Sequence, residues 1–139
     1  MTMRILIVTC EFTPFAGGVG SFNRNLVMAL SHLGHQVTVF TRDYSSALHS
    51  EQTAADSSWP SGVEILRDPW PHPLGFFTVP LRLKRFMLKR RNEFDCLLIT
   101  SSKAHAVSSK IPPEVLGKYS IIVHGDETDR HFSPQRGRL

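Results

Sequence analysis

The sequence predicts an α/β fold built on a doubly wound, mostly parallel sheet. Three observations point there. The runs RILIV and CLLIT are continuously apolar, as strands covered on both faces are, where half-exposed strands would alternate. Stretches of helical periodicity lie between the strands, the order that builds parallel sheets. A glycine-rich loop joins the first strand to the first helix, the position at which such sheets meet their ligands.

In chain order, Met3 to Thr9 is the first strand. The stretch EFTPFAGGVGS is a loop by composition, with Pro14 and three glycines in four positions, Gly17, Gly18 and Gly20. A helix is expected from Ser21, where Phe22, Leu26, Ala29, Leu30 and Leu33 form one apolar stripe. Gly34 should stop it as a left-handed cap. Gln36 to Thr41 (QVTVFT) alternates and is β-branched, a second strand whose crossover from the first is right-handed. Tyr44 to Gly62 holds six serines and no apolar period, so it reads as a surface loop. Val63 to Arg67 is a third strand. Four prolines between Asp68 and Pro80 exclude a regular element there, although Trp70, Phe76 and Phe77 call for cover. Leu81 to Phe94 is helical in pattern, with Pro80 near its first turn. Cys96 to Thr100 is a fourth strand, Ser102 to Ser109 a short helix and Tyr119 to His124 a fifth strand. Residues 1–132 form one domain, and SPQRGRL, 133–139, is a tail.

Composition narrows the classes. The chain is 41% hydrophobic and 20% charged, as globular domains are, and no apolar run approaches the roughly 20 residues of a membrane span. The start is strand-like and not a secretory signal. Cys10 and Cys96 lack C-x-x-C spacing and sit beside apolar runs, which suits reduced, buried thiols in a cytoplasmic protein. The net charge of +4 is local: Arg82, Lys84, Arg85, Lys89, Arg90 and Arg91 crowd one segment, while acids outnumber bases elsewhere. That distribution argues against a nucleic-acid partner. In LRLKRFMLKRR, Leu83, Phe86, Met87 and Arg90 share a face with bases on the flank. The segment reads either as a helix lying on an anionic bilayer, making the protein peripheral at the inner face of the membrane, or as a solvated helix covering the sheet.

The legible chemistry is in FAGGVGS. Glycines let a ligand approach the main chain, and the free N–H groups and dipole of the helix that follows favour an anion. The dinucleotide fingerprint needs a third glycine, and Asn23 stands in its place. No G-K-[ST] follows, so this is no P-loop. A tight strand-to-helix turn with no ligand is the alternative. An NAD enzyme is disfavoured further, because Arg42 and not an acid ends the second strand. His124, Asp126, Glu127, Asp129 and His131 crowd together without recognised ligand spacing, so no metal is expected.

The stretch RILIVTCEFTPFAGGVGSFNRNLVMALSHLGHQVTVFT resembles the opening of the family 4 glycosyltransferases, of the GT-B fold. The shared features are Glu11, Pro14, Gly17-Gly18-Val19-Gly20, Leu26, Leu30, Gly34-His35 and Val37-Thr38-Val39. IIVHGDE resembles the family's His-Gly-x-Glu, with His124, Gly125 and Glu127. The resemblance implies a Rossmann-like amino-terminal, acceptor-side domain. It implies an enzyme that moves a sugar from a nucleotide-sugar to an acceptor with retention and without a metal, the nucleotide-sugar being a co-substrate and no cofactor being needed. The carboxy-terminal, donor-binding domain of that fold is absent from these residues, so the chain is expected to be inactive alone. Its expected partners are a separate donor-binding domain or a second copy of itself. A non-catalytic module of the same fold is the alternative.

By position, the Gly17, Gly18, Val19 and Gly20 backbone would approach the donor diphosphate and sugar, and His124 would lie beside the transferred sugar as the catalytic residue. Glu11, Ser101, Ser102 and Glu127 would face the acceptor. Each also has a plainer reading. His124 could bond nearby backbone, Glu11 could cap a turn, and Ser101 and Ser102 could cap the helix that follows.

Overall fold

The computed structural model describes residues 1–15, 17–71 and 73–124. Five parallel strands, β1 (Arg4–Val8), β2 (Gln36–Arg42), β3 (Val63–Asp68), β4 (Cys96–Ile99) and β5 (Ser120–Ile121), stand in the order β3-β2-β1-β4-β5. The chain thus reverses direction of travel across the sheet beside β1, the feature that opens a crevice at the carboxyl ends in doubly wound folds. β1 pairs on both sides, Leu6 lying opposite Thr38 and Leu97. Its side chains divide between two cores, which is why the run needs no polar face. Ile5 and Ile7 pack with Val37, Val39 and Phe12 on one side. Leu6 and Val8 pack with Phe40, Leu97 and Ile99 on the other.

The first helix, α1 (Gly18–His32), covers the first of these cores. It starts three residues earlier than the apolar stripe suggests, and its buried line is Gly20, Asn23 and Val27, flanked by Leu26 and Leu30. Phe22, Ala29 and Leu33, expected on that stripe, are exposed. At the other end Gly34, with φ 83°, donates to the Ser31 carbonyl and His35 donates to that of Leu30. This paired closure satisfies the last carbonyls and stops the helix where the glycine stands.

The segment after β2 corrects the expected loop: α2 (Ser45–Ser57) is a helix, kinked at Leu48. Only Gln52 of it is buried, so no apolar stripe announces it. Side-chain hydrogen bonds hold its start. Asp43 accepts from the Ser45 amide (2.9 Å) and from Gln52 Nε2 (2.8 Å), while the Tyr44 amide donates to Gln52 Oε1 (2.6 Å).

The third helix, α3 (Gly75–Arg90), also begins before the sequence suggests and carries Pro80 inside. Pro80 has no N–H to give the Phe76 carbonyl one turn back. Lys110 Nζ donates to that carbonyl instead, at 2.9 Å, and sits 4.8 Å from the Phe76 ring centre. Gly75 packs closely at the first turn, where a β-carbon would stand 3.3 Å from the Trp70 main chain. Val79, Leu83 and Met87 of α3 bury into the second core, with a 3₁₀ turn at Arg91–Glu93 leading into β4. Two short helices, α4 (Ser102–Ser108) and α5 (Pro113–Leu116), complete that side. The fifth strand is shorter than expected, with two paired residues.

Candidate functional site

The carboxyl ends of the strands carry the site. Beyond β1 the chain runs through Glu11 and Phe12 to Gly17, which is extended (φ −161°, ψ 164°) and precedes α1 without any side-chain cap. No acid occupies the first turn of α1, so nothing on that turn neutralises its dipole. The three glycines differ in what they do. At Gly20 a β-carbon would stand 2.8 Å from the Phe15 carbonyl oxygen, so this glycine lets the helix close against its own loop. At Gly17 it would meet the Phe15 ring at 3.0 Å. At Gly18 it would meet nothing within 4 Å, leaving open space in front of the helix terminus. Val19 is half-buried.

Asn23 explains its own presence where the dinucleotide fingerprint wants glycine. It is fully buried, and its amide donates to Thr9 Oγ1 and to the Glu11 carbonyl, both at 2.9 Å. The residue ties α1 to the loop that leads into it. From the far side Arg67 ties the same loop to α2. It pairs with Asp56 at 2.7 Å, donates to the Thr13 carbonyl, and stands over the Phe12 and Tyr44 rings.

His124 lies on the same edge as the glycine turn. Its ring meets that of Phe22, on the first turns of α1, edge-on at 4.9 Å between centres. Its Nε2 is 3.1 Å from the Thr100 carbonyl oxygen, which only accepts, so that nitrogen carries the proton in this bond. The backbone bond and the contact with α1 are thus made by one residue. Ser101 is 2% exposed and caps α4, accepting from the Ala104 amide at 3.2 Å and lying 3.3 Å from Cys10 Sγ. Its hydroxyl is committed within the fold; Ser102, next to it, is half-buried. Glu11 is half-buried near Gly17. Glu127, with Asp126, Asp129 and His131, lies outside the described residues.

A cavity of about 280 Å³ opens beside this edge, on the second-core side. Glu11, Arg42 and Lys103 supply its charge, and Phe15, Tyr44 and Trp70 are among its walls. Cys10 forms part of the lining; burial pushes its thiol up, opposed by the Ser101 hydrogen bond. Tyr44 is likewise raised by burial, and its hydroxyl is spent on the Cys10 carbonyl at 2.6 Å. Tyr44 and Lys103 had no signal in the sequence as isolated residues. Only the strand order brings them to one cavity.

The basic segment divides. Arg82 pairs with Asp68 and also donates to the Pro69 carbonyl, Arg90 with Glu64 and Glu93, and Arg91 bonds the Leu116 and Phe94 carbonyls. Those three hold the fold. Lys84, Arg85 and Lys89 make no ion pair among the described residues. Leu83 and Met87, expected on an apolar face, are fully buried against the sheet. The outward face of the same helix is apolar too: Leu74, just before it, and Phe77, Leu81 and Leu88 are 60% to 71% exposed. No described helix is long and apolar enough to cross a membrane.

A parallel doubly wound sheet with a glycine-led helix terminus and a cavity on its carboxyl edge defines a Rossmann-like domain. Residues 16–134 match the model of Glycosyltransferase Family 4, most of the chain, and the protein belongs to that family as a module of the GT-B amino-terminal type. No curated protein matches the chain.

Proposed function

We propose that this chain forms the acceptor-side wall of a retaining glycosyl transfer site, with the sugar delivered from a nucleotide-sugar. One observation carries the reading: the contact of His124 with Phe22 makes the glycine turn and His124 a single edge. Amides at Gly18, Val19 and Gly20 lie along the positive end of α1, where a departing diphosphate gains charge. His124, oriented by Thr100 and Phe22, borders the place where the sugar would lie. Stabilising that leaving group takes donors from two facing walls, so turnover requires a domain that holds the nucleotide.

The test is a titration of the isotope-labelled chain with inorganic pyrophosphate, read by amide chemical shifts. Shifts should concentrate at residues 17–20 and at His124. Gly18→Asp places a carboxylate in open space at the helix terminus and should weaken binding several-fold while leaving the fold intact. Shifts elsewhere only, or a variant that binds as well as the parent, would sink the reading.

The outward face of α3 favours a peripheral contact with an anionic membrane. Apolar side chains there alternate with Lys84, Arg85 and Lys89, as on helices that lie in a lipid interface. Binding to vesicles containing anionic lipid should fall with salt, and replacing the three bases with glutamine should abolish it. Equal binding to neutral vesicles would count against this contact.

A further inference from the structure

The cavity beside the glycine turn has a composition that names its ligand. Four aromatic residues, Phe15, Tyr44, Trp70 and Phe76, wall it, with Pro71 and Pro73 between them. Phe15 stacks on Tyr44 at 5.7 Å, which fixes one flat wall. Two cations enter from different elements, Arg42 from the end of β2 and Lys103 from α4. Neither has an ion-pair partner among the described residues. The nearest acid in sequence, Asp43, is spent on Ser45 and Gln52. A site for a neutral sugar would instead present several planar amides or carboxylates toward hydroxyl groups. Here Glu11 is the one such group in the lining.

Resting on the acceptor-side reading above, we infer that the acceptor is an amphipathic anion: an apolar ring or chain carrying one carboxylate or phosphate monoester and, apart from it, the hydroxyl whose oxygen takes the sugar as the bond to the departing diphosphate breaks. The apolar body lies between the aromatic walls. The acidic group reaches Arg42 and Lys103, whose charge-assisted hydrogen bonds are the stronger kind. At about 280 Å³ the cavity is near the small end of ligand sites, so it takes the head of such a molecule.

Trp70 reports directly on occupancy. With Trp59→Phe it is the sole tryptophan of the chain, which has two. Phenyl phosphate and 3-phenylpropionate should change its fluorescence saturably, and the tighter of the two identifies the acidic group. The neutral 3-phenylpropan-1-ol should bind about tenfold or more weakly, with maltose and inorganic phosphate weaker still. Arg42→Ala and Lys103→Ala, both at exposed positions, should each weaken the anions about tenfold, and Glu11→Gln should tighten them. Anions binding no better than the alcohol or maltose would overturn the inference, as would a double Arg42→Ala, Lys103→Ala variant that binds as the parent does. The two readings fail separately. Loss of anion selectivity here with pyrophosphate shifts intact at residues 17–20 removes the acceptor class alone. Selective anion binding with no pyrophosphate response removes the transfer reading and leaves a binding pocket.

Discussion

Gly18 and Gly20 stand two residues apart in one motif and answer to different demands. Gly20 lets α1 close on the Phe15 carbonyl, so Gly20→Ala overpacks the loop and should cost about 1–3 kcal/mol in urea unfolding. Gly18 faces open space with a helical backbone, so Gly18→Ala should be neutral or stabilising by up to about 1 kcal/mol. The sequence showed that glycines cluster here. It could not show which one serves packing, because that depends on where Phe15 turns back. Asn23 is a similar case, since the lack of a third glycine at its position was visible and its bonds to Thr9 and Glu11 were not. The two thiols also part company. Cys10 is buried with its thiol pushed up, while Cys96 is half-buried. Iodoacetamide at neutral pH should therefore modify Cys96 well before Cys10, as mass spectrometry of the native protein can check.

At the scale of elements, legibility followed the kind of force that holds each one. β1 and β4 are read from apolar runs because both faces are covered. α2 was invisible because Asp43, Gln52 and Tyr44 anchor it by hydrogen bonds, and polar anchoring leaves no period of 3.6. The start of α3 was hidden for a different reason. Prolines argue against a helix, yet Pro80 is tolerated because Lys110 replaces the bond it removes. Lys110→Met should release the first turn of α3, costing about 1 kcal/mol and speeding amide exchange at residues 77–79 relative to the rest of the helix. Unchanged exchange there would mean that the lysine bond holds nothing.

Over the whole molecule, charge sets a pH window for stability. Hydrogen bonding to Arg90 holds the Glu64 carboxyl below its ordinary 4.5, and the amide of Gln52 lowers Asp43. Their contributions are complete above the ordinary carboxylate values and are lost as pH falls through the lowered ones. Cys10 and Tyr44 shift the other way. Both ionise earlier in the unfolded chain, so stability declines as pH rises past the ordinary 9.0 of the thiol and then the 10.0 of the phenol. Urea midpoints should be level through neutrality and drop on both sides. Glu64→Gln should flatten the acid limb and Cys10→Ala the alkaline one. The fold class was readable from the run of elements and the family from two short motifs, while the strand order came only with the structure. The cavity was not, because it draws on segments after β1, β2, β3 and β4 at once.

The touch between Phe22 and His124 joins a residue near the start of the chain to the last one described. A nascent polypeptide can raise β1, α1 and β2 early, since their neighbours follow closely in synthesis. The rim stays incomplete until residue 124 has left the ribosome. A chain stalled any earlier would display a half-built edge, with Phe22 lacking its partner ring.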